Sequence, residues 1–266
     1  MNGIMISFNN LGNIGRLANQ MFQYASLKGI AKNKGYSFCI PPREVFGRLD
    51  VSVRNSDIML YDIFDLESKN IIELTGRGMI RERMHTFDKE LFDFCPDNID
   101  LVGYFQTEKY FKHIEDEIRE DFRFKKDLLE TCQSFIDGET ISLHIRRGDY
   151  VTNSNHPVQP ISYYREALSK FPTELPVVVF SDDPEWCKKQ EIFDEDRFRI
   201  SEGNTSDYDL CLMSLCKYHI IANSTYSWWG AWLAKSKKVV APKKWFAGDC
   251  VNKSVADVPF DNFEFI

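Results

Sequence analysis

The hydrophobic pattern of the second half alternates between two periods. Short apolar runs at 141–146, 176–180, around Phe198, at 219–222 and at 238–240 read as strands, and stretches of helical spacing at 161–170, 184–190, 207–217 and 226–235 fall between them. Strand and helix in strict alternation predict a parallel sheet covered by helices. The first half begins the same way. Ile4 to Phe8 is a short apolar strand, Asn9 to Gly15 a Gly-Asn turn, and Leu17, Met21, Tyr24, Ala25 and Leu27 keep helical spacing up to Gly29. A second strand is expected from Ser37 to Ile40, stopped by Pro41-Pro42. Leu101 to Phe105 reads as a strand, and Glu108 to Arg119 as a helix with Phe111, Ile114 and Ile118 on its apolar face. Residues 43–95 are irregular, with short apolar segments such as Ile71 to Leu74. The polar stretch Asp137-Gly-Glu-Thr marks the best boundary, giving domains 1–136 and 137–266.

Composition narrows the class. With 266 residues, 43% hydrophobic and 27% charged, the chain can build a substantial core and is neither disordered nor fibrous. A net charge of −7 disfavours non-specific binding to nucleic acid, so any phosphate ligand needs a local basic site. No apolar run reaches the ~20 residues that span a bilayer. The first residues, Met-Asn-Gly-Ile-Met-Ile-Ser-Phe, lack the basic flank of a secretion signal, which predicts a cytoplasmic protein. Seven cysteines at scattered spacings, without Cys-x-x-Cys, suit reduced thiols better than a disulfide framework or a zinc site. The sequons at Asn204, Asn223 and Asn252 carry no weight without secretion.

In open parallel sheets ligands bind beyond the carboxyl ends of the strands, which directs attention to three exits. The first is His144-Ile-Arg-Arg-Gly-Asp-Tyr150. Alternation puts His144 and Arg146 on one face and Arg147 on the other. Gly148 permits a positive φ or a close approach, and Asp149 can hold a guanidinium. An anion would bind here in an otherwise acidic chain, although an Arg-Asp pair at a sheet edge accounts for the same residues. The second exit is Ser181-Asp182-Asp183-Pro184-Glu185-Trp186. Asp183 before a proline reads as a helix cap, which leaves Asp182 for a ribose or a base. Two adjacent carboxylates offer too few hard ligands for a metal. The third is Asn223-Ser-Thr-Tyr-Ser227, followed by Trp228, Trp229 and Trp232. Its small polar residues can cap a helix or receive a phosphate, and the tryptophans read mainly as core. The turn Gly12-Asn-Ile-Gly-Arg-Leu-Ala-Asn19 in the first half matches neither the phosphate loop nor the dinucleotide fingerprint.

Taken together, Gly15-Arg-Leu-Ala-Asn-Gln-Met-Phe-Gln-Tyr-Ala25, His144-Ile-Arg-Arg-Gly-Asp-Tyr150, Phe180-Ser-Asp-Asp183 and Leu212 to Trp232 resemble the bacterial alpha-1,2-fucosyltransferases of glycosyltransferase family 11, in the expected order and over nearly the whole chain. The resemblance implies an α/β, GT-B-like fold. Two Rossmann-type domains with parallel sheets would flank an active-site cleft, residues 1–136 on the acceptor side and 137–266 binding GDP-fucose. It further implies an inverting, metal-independent transfer of fucose to the 2-hydroxyl of a galactoside, with no cofactor beyond the donor substrate. Arg146 would contact the β-phosphate of GDP and stabilise the leaving group, with Arg147 and Asp149 shaping the site and His144 beside the diphosphate. Asp182 or Asp183 would read guanine or ribose. Asn223, Ser224, Thr225 and Ser227 would cradle phosphate or nucleoside, and Arg16 and Asn19 would reach fucose or diphosphate. Where family members often have glycine, this chain has Ala18.

His144 and Asp149 are the nearest candidates for the base that takes the acceptor proton, and each also has an adequate structural role. The motifs for the donor do not choose the acceptor, so another fucosyl linkage stays open, as does a nucleotide-sugar or glycan-binding protein without catalysis. The resemblance is compatible with a lipid-linked acceptor, surface-polysaccharide assembly and peripheral attachment at the inner face of the membrane. Adhesion through Arg147-Gly148-Asp149 would need a secreted, exposed loop.

Overall fold

Both halves of the chain set their apolar runs into all-parallel sheets. The computed structural model describes residues 4–41, 58–66, 78–136 and 138–266; the expected boundary residue Asp137 and the segment Ile71 to Leu74 lie outside them. The first sheet contains β1 (Met5–Ser7), β2 (Ser37–Cys39), β3 (Gly78–Arg81) and β4 (Ile99–Val102), in the order β2-β1-β4-β3. The second contains β5 (Ile141–Ile145), β6 (Val177–Ser181), β7 (Phe198–Ile200), β8 (Tyr218–Ile220), β9 (Lys238–Ala241) and β10 (Phe263–Phe265), in the order β10-β9-β8-β5-β6-β7. The helices are α1 (Leu17–Lys34), α2 (Leu60–Ile63), α3 (Lys89–Phe94), α4 (Glu115–Asp121), α5 (Lys126–Gln133), α6 (Ile161–Leu168), α7 (Pro184–Cys187), α8 (Ser206–Leu215) and α9 (Thr225–Leu233).

The chain forms two compact units. One holds the described residues up to Lys125 together with Ser254–Val258, and the other holds Lys126–Lys253 and Pro259–Ile266. Sequence reading places the boundary after residue 136. In the structure α5 belongs to the second unit, because Cys132 is fully buried and its thiol lies 3.7 Å from the Tyr208 carbonyl oxygen of α8. The short segment Ser254–Val258 belongs to the first unit. There the Asp257 carboxylate accepts the Phe87 N–H at 2.6 Å and pairs with Lys109.

In the first unit α1 is buried on nearly every side from Leu17 to Ala31 and ends on Gly35 at φ +69, with Lys32 and Lys34 at the negative end of the helix dipole. Gly29 is required by packing: a Cβ there would lie 2.0 Å from the Tyr110 carbonyl oxygen. The expected helix 108–119 is broken. Residues Glu108–Tyr110 and Lys112–Ile114 are 3-10 turns, and α-helix begins only at Glu115. Tyr110 and Phe111, adjacent in sequence, are both fully buried, Phe111 against Phe22 of α1 and the Tyr110 carbonyl against Gly29. Tyr110 meets Phe87 at 4.9 Å and Phe105 at 5.5 Å between ring centroids, in an aromatic core that extends to Phe8.

The second unit carries a continuous aliphatic layer. Ile141, Leu143 and Ile145 of β5 pack with Val177 and Val179 of β6, Tyr163, Tyr164 and Ala167 of α6, Ile220 and Val240. The opposite face of β5, Ser142 and His144, is also buried. A central strand of a parallel sheet is covered on both faces, so its polar positions are interior too. Each exposed β5 exit residue is therefore one that lies past Ile145.

Candidate active site

Three neighbouring strand ends build the site in the second unit. β5 pairs in parallel with β6 from Ile141↔Val177 to Ile145↔Ser181, and with β8 from Ile141↔Tyr218 to Leu143↔Ile220. Equal register sends the three following loops out at the same end of the sheet, as ligand sites in open α/β sheets require.

The β5 and β6 exits interlock through charge. The Arg146 guanidinium pairs with Asp149 three residues on, and its Nη1 lies 2.7 Å from Asp182 Oδ2. Its face lies over the Tyr150 ring, 5.3 Å from the centroid. Asp182 Oδ1 accepts the backbone N–H of Arg147 at 2.8 Å. Arg147 Nε donates to Asp183 Oδ2 at 2.9 Å, and its guanidinium stacks 4.2 Å from the Trp186 ring centroid. Asp183 also caps α7, accepting the Trp186 N–H at 3.1 Å, the role that a following proline predicts. The adjacent Arg147 guanidinium holds the Asp183 carboxyl below its ordinary pKa. Gly148 has no positive φ. It serves close approach: a Cβ at this position would sit 2.3 Å from Asp182 Oδ2.

Sequence reading has His144 emerge together with Arg146; in the structure His144 is buried while the Arg146 guanidinium is partly exposed. His144 is 4% exposed, and its Nδ1 lies 2.8 Å from Ser227 Oγ under α9. Burial, with Arg146 nearby, pushes its pKa down to about 3, so the ring is neutral near pH 7. His219 of β8 behaves alike. It is fully buried between Ser236 Oγ and the Met213 carbonyl, and burial lowers its pKa to about 4.

The β8 exit is neutral and mostly committed to the framework. Asn223 Oδ1 accepts from Gln159 Nε2 at 3.0 Å, Nδ2 donates to the Trp245 carbonyl at 2.9 Å, and the Asn223 carbonyl accepts from Tyr150 Oη at 3.0 Å. Ser224 caps α9 through the Tyr226 N–H, Thr225 opens the helix half-buried, and Ser227 is held by His144. Trp228, Trp229 and Trp232 are buried against one another, as their core reading requires.

Arg16 and Asn19 belong to the first unit. Arg16 is exposed at the N-cap of α1. Asn19 lies inside the first turn of the helix, not between strand and helix, and accepts from Gln106 Nε2 at 2.8 Å. Gly15, at φ +86, packs on Asn19, while Ala18 sits within the helix where glycine is not needed. Among the described residues no three His, Cys, Asp or Glu side chains converge as metal ligands, and no helix is long and apolar enough to cross a membrane.

Tyr150, Gln159 and Trp186 are parts of the site that the motifs did not announce. Tyr150 and Trp186 stood beside the charged residues in sequence, and an aromatic next to an arginine was the available signal. Gln159 had none, since its partners Asn223 and Lys244 are remote in the chain.

The chain is α/β with two parallel sheets, and arginines and carboxylates meet at the strand exits of the second. The family model for Glycosyl transferase family 11 matches residues 2–258, and the chain belongs to that family and is a glycosyltransferase. It is similar to an alpha-1,2-colitosyltransferase of Escherichia coli, 31% identical over 90% of this chain and 92% of the relative. It is also similar to the O-antigen biosynthesis glycosyltransferase WbnK of Escherichia coli, 40% identical over 59% of this chain and 58% of the relative. Human galactoside alpha-(1,2)-fucosyltransferase 1 is 28% identical over 83% of this chain and 64% of its own length. Among solved structures, NodZ alpha-1,6-fucosyltransferase soaked with GDP-fucose shares the fold at a TM-score of 0.55 and 11% identity, covering 90% of this chain and 95% of that one. POFUT1 in complex with GDP-fucose does so at 0.52 and 12%, covering 88% and 94%. The GT-B-like fold expected from the motifs is therefore the observed one.

Proposed function

We propose that this glycosyltransferase moves L-fucose from GDP-fucose to the 2-hydroxyl of a galactose-containing acceptor, with inversion at the anomeric carbon. The observation that carries this reading is the Arg146–Arg147 exit of β5, held by Asp149, Asp182 and Asp183. Relatives that act as galactoside alpha-(1,2)-fucosyltransferases support the linkage, and folds solved with GDP-fucose support the donor.

As the bond from the anomeric carbon to the diphosphate oxygen breaks, positive charge grows on the sugar ring and negative charge on the leaving group. Fixed donors aimed at that phosphate then stabilise the transition state more than the ground state. Arg146 is the donor on this reading. Asp182 fixes its guanidinium and Tyr150 supports its face. Arg147, stacked on Trp186 and tied to Asp183, braces the turn. Ser224, Thr225 and the N-terminus of α9 offer donors to phosphate or nucleoside. His144, buried and neutral, positions Ser227 and is a poor proton acceptor for a solvent-facing hydroxyl. That leaves Asp149 as the stronger of the two base candidates. The reaction needs no metal, so EDTA leaves its rate unchanged.

A second reading is favoured by the colitosyltransferase relative: transfer of colitose, which differs from fucose by one missing ring hydroxyl. A site that hydrogen-bonds that hydroxyl rejects the deoxy sugar strongly, whereas an apolar contact there discriminates weakly. Incubation of the purified protein with fucosyl and colitosyl GDP donors and a panel of β-galactosides, with linkage analysis of products, decides between them. A product from neither donor, with donor intact, rejects both.

A further inference from the structure

Five charged side chains meet at the exits of β5 and β6: Arg146 and Arg147 against Asp149, Asp182 and Asp183. The carboxylates exceed the guanidinium groups by one, so the cluster as built is negative. Asp149 holds Nη2 of Arg146 and Asp182 holds Nη1, so a nucleoside diphosphate that engages both terminal nitrogens competes with these carboxylates for them. The three are not held equally. Asp183 is fixed by the α7 cap and by Arg147, and has no contact with Arg146. Asp182 is held at both oxygens, by the Arg147 backbone N–H and by Arg146, with Gly148 pressed against it. Asp149 is the most exposed, at 56% of its side-chain area against 26% for Asp182, and among the described residues it is ion-paired with Arg146. It stands on a single 3-10 turn, Gly148–Val151, where a rotamer change disturbs little.

We propose that Asp149 is an exchangeable counter-ion of Arg146: it occupies the anion position, yields it to the diphosphate of the incoming donor, and recaptures the guanidinium as the nucleoside diphosphate product departs, while Asp182 stays as the fixed anchor. This deepens the reading that the site binds a GDP-sugar, and rests on it. The device keeps Arg146 oriented at all times and lowers the affinity of the nucleoside diphosphate product. It assigns opposite signs to two neighbouring carboxylates. Loss of the Asp149 charge removes a competitor and tightens diphosphate binding. Loss of Asp182 frees the guanidinium and the turn behind it, and weakens binding.

The test is isothermal titration of GDP into the wild-type protein, Asp149→Asn and Asp182→Ala, with the melting temperature of each as a check on folding. Asp149→Asn binds GDP more tightly, by about two- to fivefold, the range an exposed ion pair supports. Asp182→Ala binds GDP at least about tenfold more weakly. Weaker or unchanged GDP binding by folded Asp149→Asn overturns the exchange and makes that residue a plain brace. Tighter binding by Asp182→Ala overturns the division between anchor and competitor. Absence of GDP binding by the wild type rejects the GDP-sugar reading itself, a result separate from either of these.

Discussion

The exits of β5 and β8 leave adjacent strands of one sheet and are built on opposite principles. After β5 the polar groups are charged, partly exposed and paired chiefly with one another. After β8 they are neutral, buried and bonded largely to backbone: Asn223 ties Tyr150, Gln159 and Trp245 together, and Ser227 meets His144. An ion pair at the surface is worth little and exchanges easily, whereas a buried neutral group left without its partner is costly. One exit can therefore trade its partners for a ligand, and the other holds the loops in place while that happens.

Replacing Arg146 tests this contrast most severely. Arg146→Ala is expected to cost about 10² to 10³ in turnover, the effect of losing one oriented donor at a developing charge, with its melting temperature near the wild-type value. Arg146→Lys recovers little, because an ammonium does not reproduce the planar fork. Near-normal transfer by the alanine variant would remove Arg146 from the site. Gly148→Ala comes next. Its Cβ would stand 2.3 Å from Asp182 Oδ2, so the anchor must move, and a displacement of that order is expected to lower kcat/KM by about 10².

At the β8 exit the same kind of change appears as stability. Asn223→Ala removes one of the two bonds of the Gln159 amide and the donor to the Trp245 carbonyl, and is expected to cost about 1 to 3 kcal/mol in urea unfolding. Equal losses of activity and stability at the two exits would erase the distinction between them.

The buried histidines add a pH signature of smaller size. With folded pKa values of about 3 for His144 and about 4 for His219, against an ordinary 6.5, the unfolded chain takes up protons first as pH falls. Their contribution is complete above pH 6.5 and is lost progressively as pH drops toward those folded values, at about 1 kcal/mol per histidine between pH 7.5 and 5.5. Urea midpoints at the two pH values measure it, and a His219→Gln variant should show the shallower dependence. The smallest effect is Ser227→Ala, about 1 kcal/mol through loss of the bond to His144, with transfer nearly intact. A collapse of turnover in that variant would mean that Ser227 touches substrate.

Much of the second unit was readable in advance. Periodicity located β5, β6, β8 and β9 and the helices between them, since strands buried on both faces are short apolar runs with turn residues at their ends. It missed β10, although Phe263-Glu264-Phe265 alternates, and it missed α5, whose buried side chain is the single Cys132. In the first unit β3 and α3 lay inside a stretch read as irregular. The expected helix from Glu108 to Arg119 starts instead as two 3-10 turns, where Phe111 meets Phe22 and the Tyr110 carbonyl meets Gly29 of α1. Within the site, the motif spacing picked out Arg146, Arg147, Asp149 and both aspartates after β6. The expectation that His144 emerges together with Arg146 followed from alternation along β5 alone, which says which face a side chain takes and nothing about what covers that face.

The sequence by itself determined the α/β class, the strand exits that carry chemistry, and a set of motifs specific enough to point to the family. These are local properties: hydrophobic period, turn residues, and charge placed a fixed number of residues past a strand. Only the tertiary structure decided which partner each polar group takes. Asp182 is an anchor because β6 runs in register beside β5, and Asp149 stands exposed on the 3-10 turn that follows β5. His144 is neutral because α9 covers it, and Asn223 is framework because three remote segments converge on it. Pairing and burial depend on residues brought together from far along the chain, and those set the charge, rigidity and reach of each side chain.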